Sequence, residues 1–355
     1  LLAKDWSIRA KARSILLSGN LTQSCIGKEG DGLNLAVRPK ESIPNANHMI
    51  IVDSQELALV IQHELTKTIV HHLRGRDYNL GGAFKIMGPK VEGRAPSYMI
   101  IAFTPGGGLG DVNRDIIAQV IGLADGPMRM VQFAASSQTI TDALFRKMEA
   151  QVLSGKEFDF SSIADTPFAM AEWSLFLEIS GFTIETLPDG TKRWVEPKDN
   201  IWKKVMGERA YQEFRDKVLV APEVYGHHMA KQPDGTVIEL TSKIHHKLLL
   251  VKINGKWVGI QGSYNFSEGA LKNQEYITII VDHEAGEFLL SIFEGLKRMS
   301  KRQFSVAKMA EFRNSRKDDR DPNRKVIRDS ESEEVLKPRS RKPVSSPSCR
   351  NLLGL

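Results

Sequence analysis

Two distant stretches of this chain repeat one another, which ties any fold it adopts to two like units. The first runs LLSGNLT, then an insert, then NANHMIIVDSQELALVIQHELTKTIVHHL. The second runs IQGSYNFS, a shorter spacer, then NQEYITIIVDHEAGEFLLSIFEGLKRM. Each carries Ser-x-Asn, then Asn-x-Asn or Asn-x-Glu, then an apolar strand ending in Val-Asp, then a helix with apolar residues three and four apart. In the first helix these are Leu57, Val60, Ile61, Leu65, Ile69 and Leu73; in the second they are Phe288, Leu289, Ile292, Phe293 and Leu296. Asp53 with Glu56 predicts a capping box, and Asp282 a second N-cap. The pattern predicts an internal duplication.

Between the repeats, SYMIIAFTPGGGLGD reads as a strand and a Gly-rich turn, VNRDIIAQVIGLA as a helix, MRMVQFAAS as a strand and TITDALFRKMEAQVL as a helix. KVLVAPEVY and GTVIEL add strands, and Asp189-Gly190 and Asn254-Gly255 are turn signals. Strands alternating with helices predict an α/β fold, a mixed sheet flanked by helices. The Gly-rich turn lacks the Lys-Ser/Thr of a phosphate loop and the glycine spacing of a dinucleotide fingerprint. Met128 and Met130 are expected in the core. His71-His72 is expected on a helix surface and His227-His228 in a loop; HELTK at 63–67 is not the His-Glu-x-x-His zinc pattern.

At 355 residues and 41% hydrophobic content the chain can bury a sizeable core. Its apolar runs are strand-sized, far short of the roughly 18 residues that span a bilayer. Two cysteines, Cys25 and Cys349, make neither a disulfide framework nor a thiolate zinc site, compatible with a reducing compartment; the expected location is the cytoplasm. The net charge of +6 is uneven: 17 basic and 8 acidic residues lie from Lys297 onward, leaving 32 basic and 35 acidic before it. From about Asn314 the mixture of charge, Ser and Pro predicts a disordered tail, and its basicity suits contacts with phosphates.

The stretch IHHKLLLVKINGKWVGIQGSYNFSEGALKNQE, residues 244–275, gathers groups able to handle a phosphodiester. Strand alternation puts His245 and Lys247 on one face, where Lys neutralises non-bridging oxygens and His acts as nucleophile or acid. Asn265 and Asn273 suit donation to the same oxygens, and Glu275 or Ser263 suits orienting an imidazole. With a two-residue turn at Asn254-Gly255, an ideal ladder sets Ser263 opposite His246, away from His245. A bulge at Gly259 or Gly262 is therefore expected, bringing Ser263 and Asn265 round. An unbroken ladder through Gly262 with Ser263 pointing away counts against the site.

His245, Lys247, Gly262, Ser263, Asn265, Phe266, Asn273 and Glu275 together resemble the phospholipase D superfamily. The resemblance extends from Leu1 to about Leu296 and implies two pseudo-repeated halves. Residues 1–85 would be the remnant of an incomplete first half, 86–296 the second half, and 297–355 a basic helix end and tail. It implies metal-independent phosphodiester hydrolysis through a phosphohistidine, without cofactor, with His245, Lys247, Ser263, Asn265 and Glu275 catalytic. Lys4, Ser18, Asn20 and Asn273 would bind phosphate. Leu2 stands where the first-half His is expected, Asn47 where the Glu is, and Lys252 where the motif places Asp. In two-half members the first-half His is usually the nucleophile and the second-half His the acid; with Leu2, His245 plays both parts if two second halves pair as a homodimer. An N-terminal truncation is expected, because the strands preceding the first repeat are missing. The substrate expectation favours nucleic acid, DNA or RNA; the alternatives are phospholipid hydrolysis and a non-catalytic nucleic-acid-binding module.

Overall fold

The structure, a computed structural model, describes residues 2–3, 12–18, 49–74, 83–88, 92–93, 96–104, 112–220, 227–231, 237–241, 244–299 and 304–315. The chain opens with β1 (Leu2–Ala3), β2 (Arg13–Leu17) and β3 (Met49–Asp53), an antiparallel three-stranded sheet, followed by helix α1 (Gln55–Leu73). Then come β4 (Ala83–Met87), β5 (Tyr98–Phe103), α2 (Val112–Leu123), β6 (Met128–Gln132), α3 (Gln138–Leu153) and β7 (Phe160–Ala164). Short helices α4 (Thr166–Ala169) and α5 (Leu175–Ile179) precede a hairpin of β8 (Thr183–Thr186) and β9 (Lys192–Val195). Next are α6 (Ile201–Met206), α7 (Glu208–Arg215), β10 (Val218–Val220) and a second hairpin, β11 (His227–Lys231) with β12 (Val237–Thr241). The chain continues through β13 (Lys247–Ile253), β14 (Lys256–Gly262), β15 (Tyr276–Val281) and α8 (His283–Met299) to β16 (Phe304–Ser305) and α9 (Val306–Ser315).

Nine strands form one mixed sheet in the order β16-β10-β7-β6-β13-β14-β15-β5-β4. β6, β7 and β10 pair in parallel, whereas β13, β14 and β15 form an antiparallel meander closed on both sides by antiparallel partners, β6 and β5. It follows that the carboxyl ends of β5, β6, β7, β10 and β14 and the amino ends of β13 and β15 lie along one edge. Crevices for ligands form outside such carboxyl ends in α/β sheets.

The meander turns where the sequence predicts. Asn254 and Gly255 adopt positive φ of 50° and 73°, the pattern of a two-residue I′ turn, with Ile253 paired to Lys256. Alternation sends Leu249, Val251, Val258 and Ile260 into the core shared with Ile117, Val120 and Leu144 of α2 and α3. The opposite face sets Leu248, Leu250 and Trp257 against Leu289 and Phe293 of α8. Fully burying a side chain such as Phe293 contributes about 2–3 kcal/mol. Met128 and Met130 are core residues, as expected. A third cluster joins Leu16 of β2 and Leu57 of α1 to Met99 and Ile101 of β5, so the first segment packs on the α8 side of the large sheet.

Several local expectations change. Ser54, not Asp53, caps α1, its hydroxyl accepting from Leu57 N–H at 3.2 Å, because the Asp53 carboxylate is held by Arg13, its cross-strand neighbour, at 2.7 Å. Asp282 does cap α8, accepting from Ala285 N–H at 2.8 Å. The apolar stripe of α1 is buried only in its first turns: Leu57 is inaccessible, but Leu65, Ile69 and Leu73 are exposed. At ~1.5 Å per residue the helix is about 28 Å long and runs past the sheet that supports its start. Phe288 likewise faces outward from α8. His227 and His228 begin strand β11 rather than lying in a loop; the Pro-Asp-Gly at 233–235 is the turn signal between β11 and β12. Regular structure extends to Ser315, past Asn314: α9 packs against β9, and the Asn314 side chain both accepts from Trp194 N–H and donates to Trp194 O. The Gly-rich 105–110 turn and the chain from 316 onward lie outside the described residues.

Candidate active site

The amino end of β13 sits between the carboxyl ends of β6 and β14, and the residues there are His245, His246 and Lys247. Lys247 Nζ lies 3.1 Å from both ring nitrogens of His245, 3.1 Å from the His245 carbonyl oxygen and 3.1 Å from the Ser18 carbonyl oxygen. The expected His-x-Lys pairing on one face is therefore formed. The ammonium is buried, at 2% exposure, and isolated burial of a charge is costly. Two carbonyl oxygens and an imidazole offset part of that cost, and they fix Nζ against the imidazole ring.

Residues from other strands complete the surroundings. The His245 ring packs against Phe133, just past β6, at a centroid distance of 4.7 Å, and Phe133 packs against Phe168 of α4 at 4.3 Å. Asp165, at the end of β7, accepts from Ile244 N–H at 3.1 Å and so anchors the segment entering His245. Gln132 is the cross-strand partner of Lys247; it is fully buried, and its amide nitrogen and oxygen have no hydrogen-bond partner among the described residues. Gln132, Phe133 and Asp165 were not singled out from the sequence. A polar residue closing the strand MRMV, beside the core residues Met130 and Val131, is the signal that marks Gln132.

The expected glycine bulges are not formed. The ladder is unbroken from Ile253–Lys256 to Leu248–Gln261 and, on the other side of β14, through Gly262–Ile277. Both glycines instead provide clearance: a Cβ at Gly259 would run into Leu289 of α8, and one at Gly262 into the Tyr276 carbonyl. The irregularity comes one step later, where Ser263 N–H and Tyr264 N–H both donate to Tyr276 O, at 3.1 and 3.3 Å, the pattern of a bulge. Tyr264 and Phe266 enter the core with Ile260. The Ser263 hydroxyl accepts from Tyr276 N–H at 3.1 Å, so this serine is tied to β15 and is not hydrogen-bonded to His245 or Lys247. An unbroken ladder through Gly262 with Ser263 turned to β15 is the outcome that counts against the site, and it removes Ser263 as a direct partner of the imidazole.

Asn265 Oδ1 is buried without a hydrogen-bond partner among the described residues, and Asn273 is exposed, its carbonyl accepting from the Thr104 hydroxyl at 2.9 Å. Glu275 is held through its backbone, which exchanges hydrogen bonds with Thr104 at the end of β5. From the first segment, Ser18 is brought to Lys247 by its carbonyl. Lys4, Asn20 and Asn47 lie outside the described residues, and of Leu2 only the backbone, paired with Ser14, is described. Lys252 lies at the far end of β13, its ammonium 5.6 Å from the Trp257 ring centroid. At ~3.3 Å per residue it is about 16 Å from Lys247, so the missing Asp does not alter the charge next to His245. Among the described residues no group of three His, Cys, Asp or Glu stands close enough to hold a metal ion. Nor is any described helix long and apolar enough to cross a membrane.

Two further groups tie the site to stability. The Tyr276 hydroxyl donates to Leu17 O at 2.8 Å, joining β15 to β2, and burial pushes this phenol well above its ordinary range. Tyr276→Phe is expected to lower the urea midpoint by an amount worth about 1 kcal/mol, since one neutral hydrogen bond is lost and Leu17 O is left short of a donor. His246 is buried, and burial, with the Lys247 charge adding to it, lowers its pKa to about 4. The unfolded chain therefore binds a proton that the folded chain refuses between pH 6.5 and about 4. Stability from this residue is complete above pH 6.5 and is lost as pH falls to 4, by at most about 3 kcal/mol. Urea denaturation at pH 7 and pH 4.5 should show a smaller pH difference for His246→Gln than for the parent chain; an unchanged difference would refute the assignment.

No protein-family model matches the chain, and no curated protein matches it. Among solved structures it is similar to Nuc, a phospholipase D family member from Salmonella typhimurium, at 14% identity and a TM-score of 0.31, over 58% of this chain and 97% of that one. It is similar to NucT from Helicobacter pylori at 14% identity and a TM-score of 0.35, over 57% and 96%. Phosphatidylserine synthase from Haemophilus influenzae is a third, at 11% identity and a TM-score of 0.37, over 76% and 58%.

Proposed function

We propose that the protein cleaves phosphodiesters, with His245 forming the bond to phosphorus. The observation that carries this reading is the contact of a buried ammonium, Lys247 Nζ, with both ring nitrogens of His245 at the sheet edge, between the carboxyl ends of β6 and β14. A phosphodiester placed against the imidazole puts a non-bridging oxygen within reach of that ammonium, and fixed positive charge in a water-poor site stabilises the charge that develops on it. A ring nitrogen of His245 attacks phosphorus, the P–N bond forms, and the P–O bond to the leaving alcohol breaks. The departing oxygen takes a proton from solvent. Water then attacks the phosphohistidine, the P–N bond breaks, and the imidazole is regenerated. Leu2 stands where a second imidazole is expected, so the nucleophile is His245, and a second copy of the chain paired as a homodimer would supply the other imidazole as the acid in place of solvent. Gln132, whose buried amide nitrogen has no partner among the described residues, is the donor best suited to another phosphate oxygen.

The preferred substrate is a nucleic-acid backbone, supported by the excess of nine basic charges from Lys297 onward. Such contacts release counterions, so binding should weaken steeply with salt. The test is hydrolysis, by the full chain in EDTA, of a single-stranded oligonucleotide and of a chromogenic phosphodiester. Turnover of both is expected; turnover of neither, with retained oligonucleotide binding, would leave a nucleic-acid-binding module in its place. Deleting residues 316–355 should lower oligonucleotide affinity and flatten its salt dependence. Unchanged affinity would remove the tail from the account.

A further inference from the structure

A short ladder of aromatic rings leads from His245 to the surface. Phe133 lies 4.7 Å from the imidazole, Phe168 lies 4.3 Å from Phe133, and Trp173 lies 6.0 Å from Phe168, each at tilts of 51–57°. Phe133 and Phe168 are half-buried, and Trp173 is 42% exposed. All three stand beyond the carboxyl ends of β6 and β7, on the rim of the candidate site. The fold holds them firmly. Leu175 N–H donates to Ala135 O, Trp194 Nε1 donates to Met170 O, and Ser136 and Ser137 N–H both donate to Phe266 O. The last pair couples the ladder to the Gly-Ser-x-Asn-Phe segment.

We infer that this ladder is a stacking platform for the unpaired bases of single-stranded nucleic acid whose phosphate sits on His245 and Lys247. The inference rests on the proposed phosphodiesterase reading and names its substrate class. Phe133 and Phe168 are close enough to the imidazole to take the base attached to the scissile phosphate, and Trp173 offers an open face to the next base. Aromatic faces suit any base, whereas a duplex keeps its bases stacked inside and cannot present them. The alternative occupant, a lipid acyl chain, fits less well. The ladder is three rings long, and its outer end has charged neighbours: Glu172, next to Trp173, is paired with Lys192 at 3.6 Å, both well exposed.

The test is fluorescence anisotropy on the full chain with a labelled single-stranded oligothymidylate and with an abasic strand of the same length and phosphate number. Stacking worth roughly 1–3 kcal/mol per base predicts that the parent binds the base-bearing strand about ten-fold or more tighter than the abasic one. Trp173→Ala should lose about ten-fold on the base-bearing strand and leave abasic binding unchanged, whereas Trp173→Phe should stay close to the parent. Phe168→Leu should act in the same direction as Trp173→Ala. Equal binding of the two strands by the parent overturns the inference. So does Trp173-dependent binding to phosphatidylglycerol vesicles without base dependence, which would assign the ladder to lipid. Base-dependent binding without any cleavage sinks the phosphodiesterase reading and leaves the platform; cleavage without base dependence does the reverse.

Discussion

His245→Asn is expected to lower phosphodiester turnover by at least about a thousand-fold, since the group that forms the covalent bond is removed and losses of that order follow removal of a nucleophile. Asparagine retains a polar amide near the position of the imidazole. It can still receive Lys247 Nζ, so the buried ammonium keeps a neighbour and the fold should persist. The loss should fall on kcat, with KM for an oligonucleotide changed only a few-fold, because binding is expected to come from phosphate and base contacts outside the imidazole. A matching circular dichroism spectrum and urea midpoint would place the effect in the chemistry. Turnover within a few-fold of the parent would remove His245 from the mechanism.

Lys247→Met carries the second large effect. Methionine fills the same buried space without the charge, so the non-bridging oxygen loses its counter-charge, and a fall in kcat of about 100- to 1000-fold is expected. Stability should move far less than activity. A buried ammonium is costly, and its replacement by an apolar group of similar length is often near neutral, although here the Ser18 and His245 carbonyls lose a donor. A urea midpoint within roughly 2 kcal/mol of the parent is the expected result. Lys247→Arg should not rescue, because the planar guanidinium is bulkier than the ammonium and Lys247 is buried. Full activity in Lys247→Arg would show that the site is open rather than closed around the ammonium.

The site is partly legible in the residue order, and the reason differs from residue to residue. His245 and Lys247 share a face because a two-residue spacing does so in any strand, and the Asn254-Gly255 turn fixes their meander whatever surrounds it. Local periodicity carries that much. Gln132, Phe133, Phe168 and Trp173 reach the same place only because β6 and β7 pair in parallel, with Gln132 opposite Ala164, and because β6 then meets β13 with Gln132 opposite Lys247. Spacing along the chain does not encode such pairings. Gly259 and Gly262 depart from the expected bulges for a related reason. A glycine in a strand marks either a bulge or a close approach, and only the positions of Leu289 and the Tyr276 carbonyl decide between them. At α1 the competition was local: Ser54 and Asp53 both suit an N-cap, and the pairing of Arg13 with Asp53 across β2 and β3 leaves the cap to Ser54. The apolar stripe at Leu65, Ile69 and Leu73 shows that helical periodicity reports a face and not what covers it.

The most direct test of the central claim is rapid alkaline quenching of the full chain during turnover of a single-stranded oligonucleotide, followed by mass spectrometry of its peptides. Phosphohistidine survives these conditions, and a nucleotide adduct is expected on the peptide that carries His245, absent from His245→Asn. Cleavage with no adduct at His245, or an adduct on another residue, would contradict it.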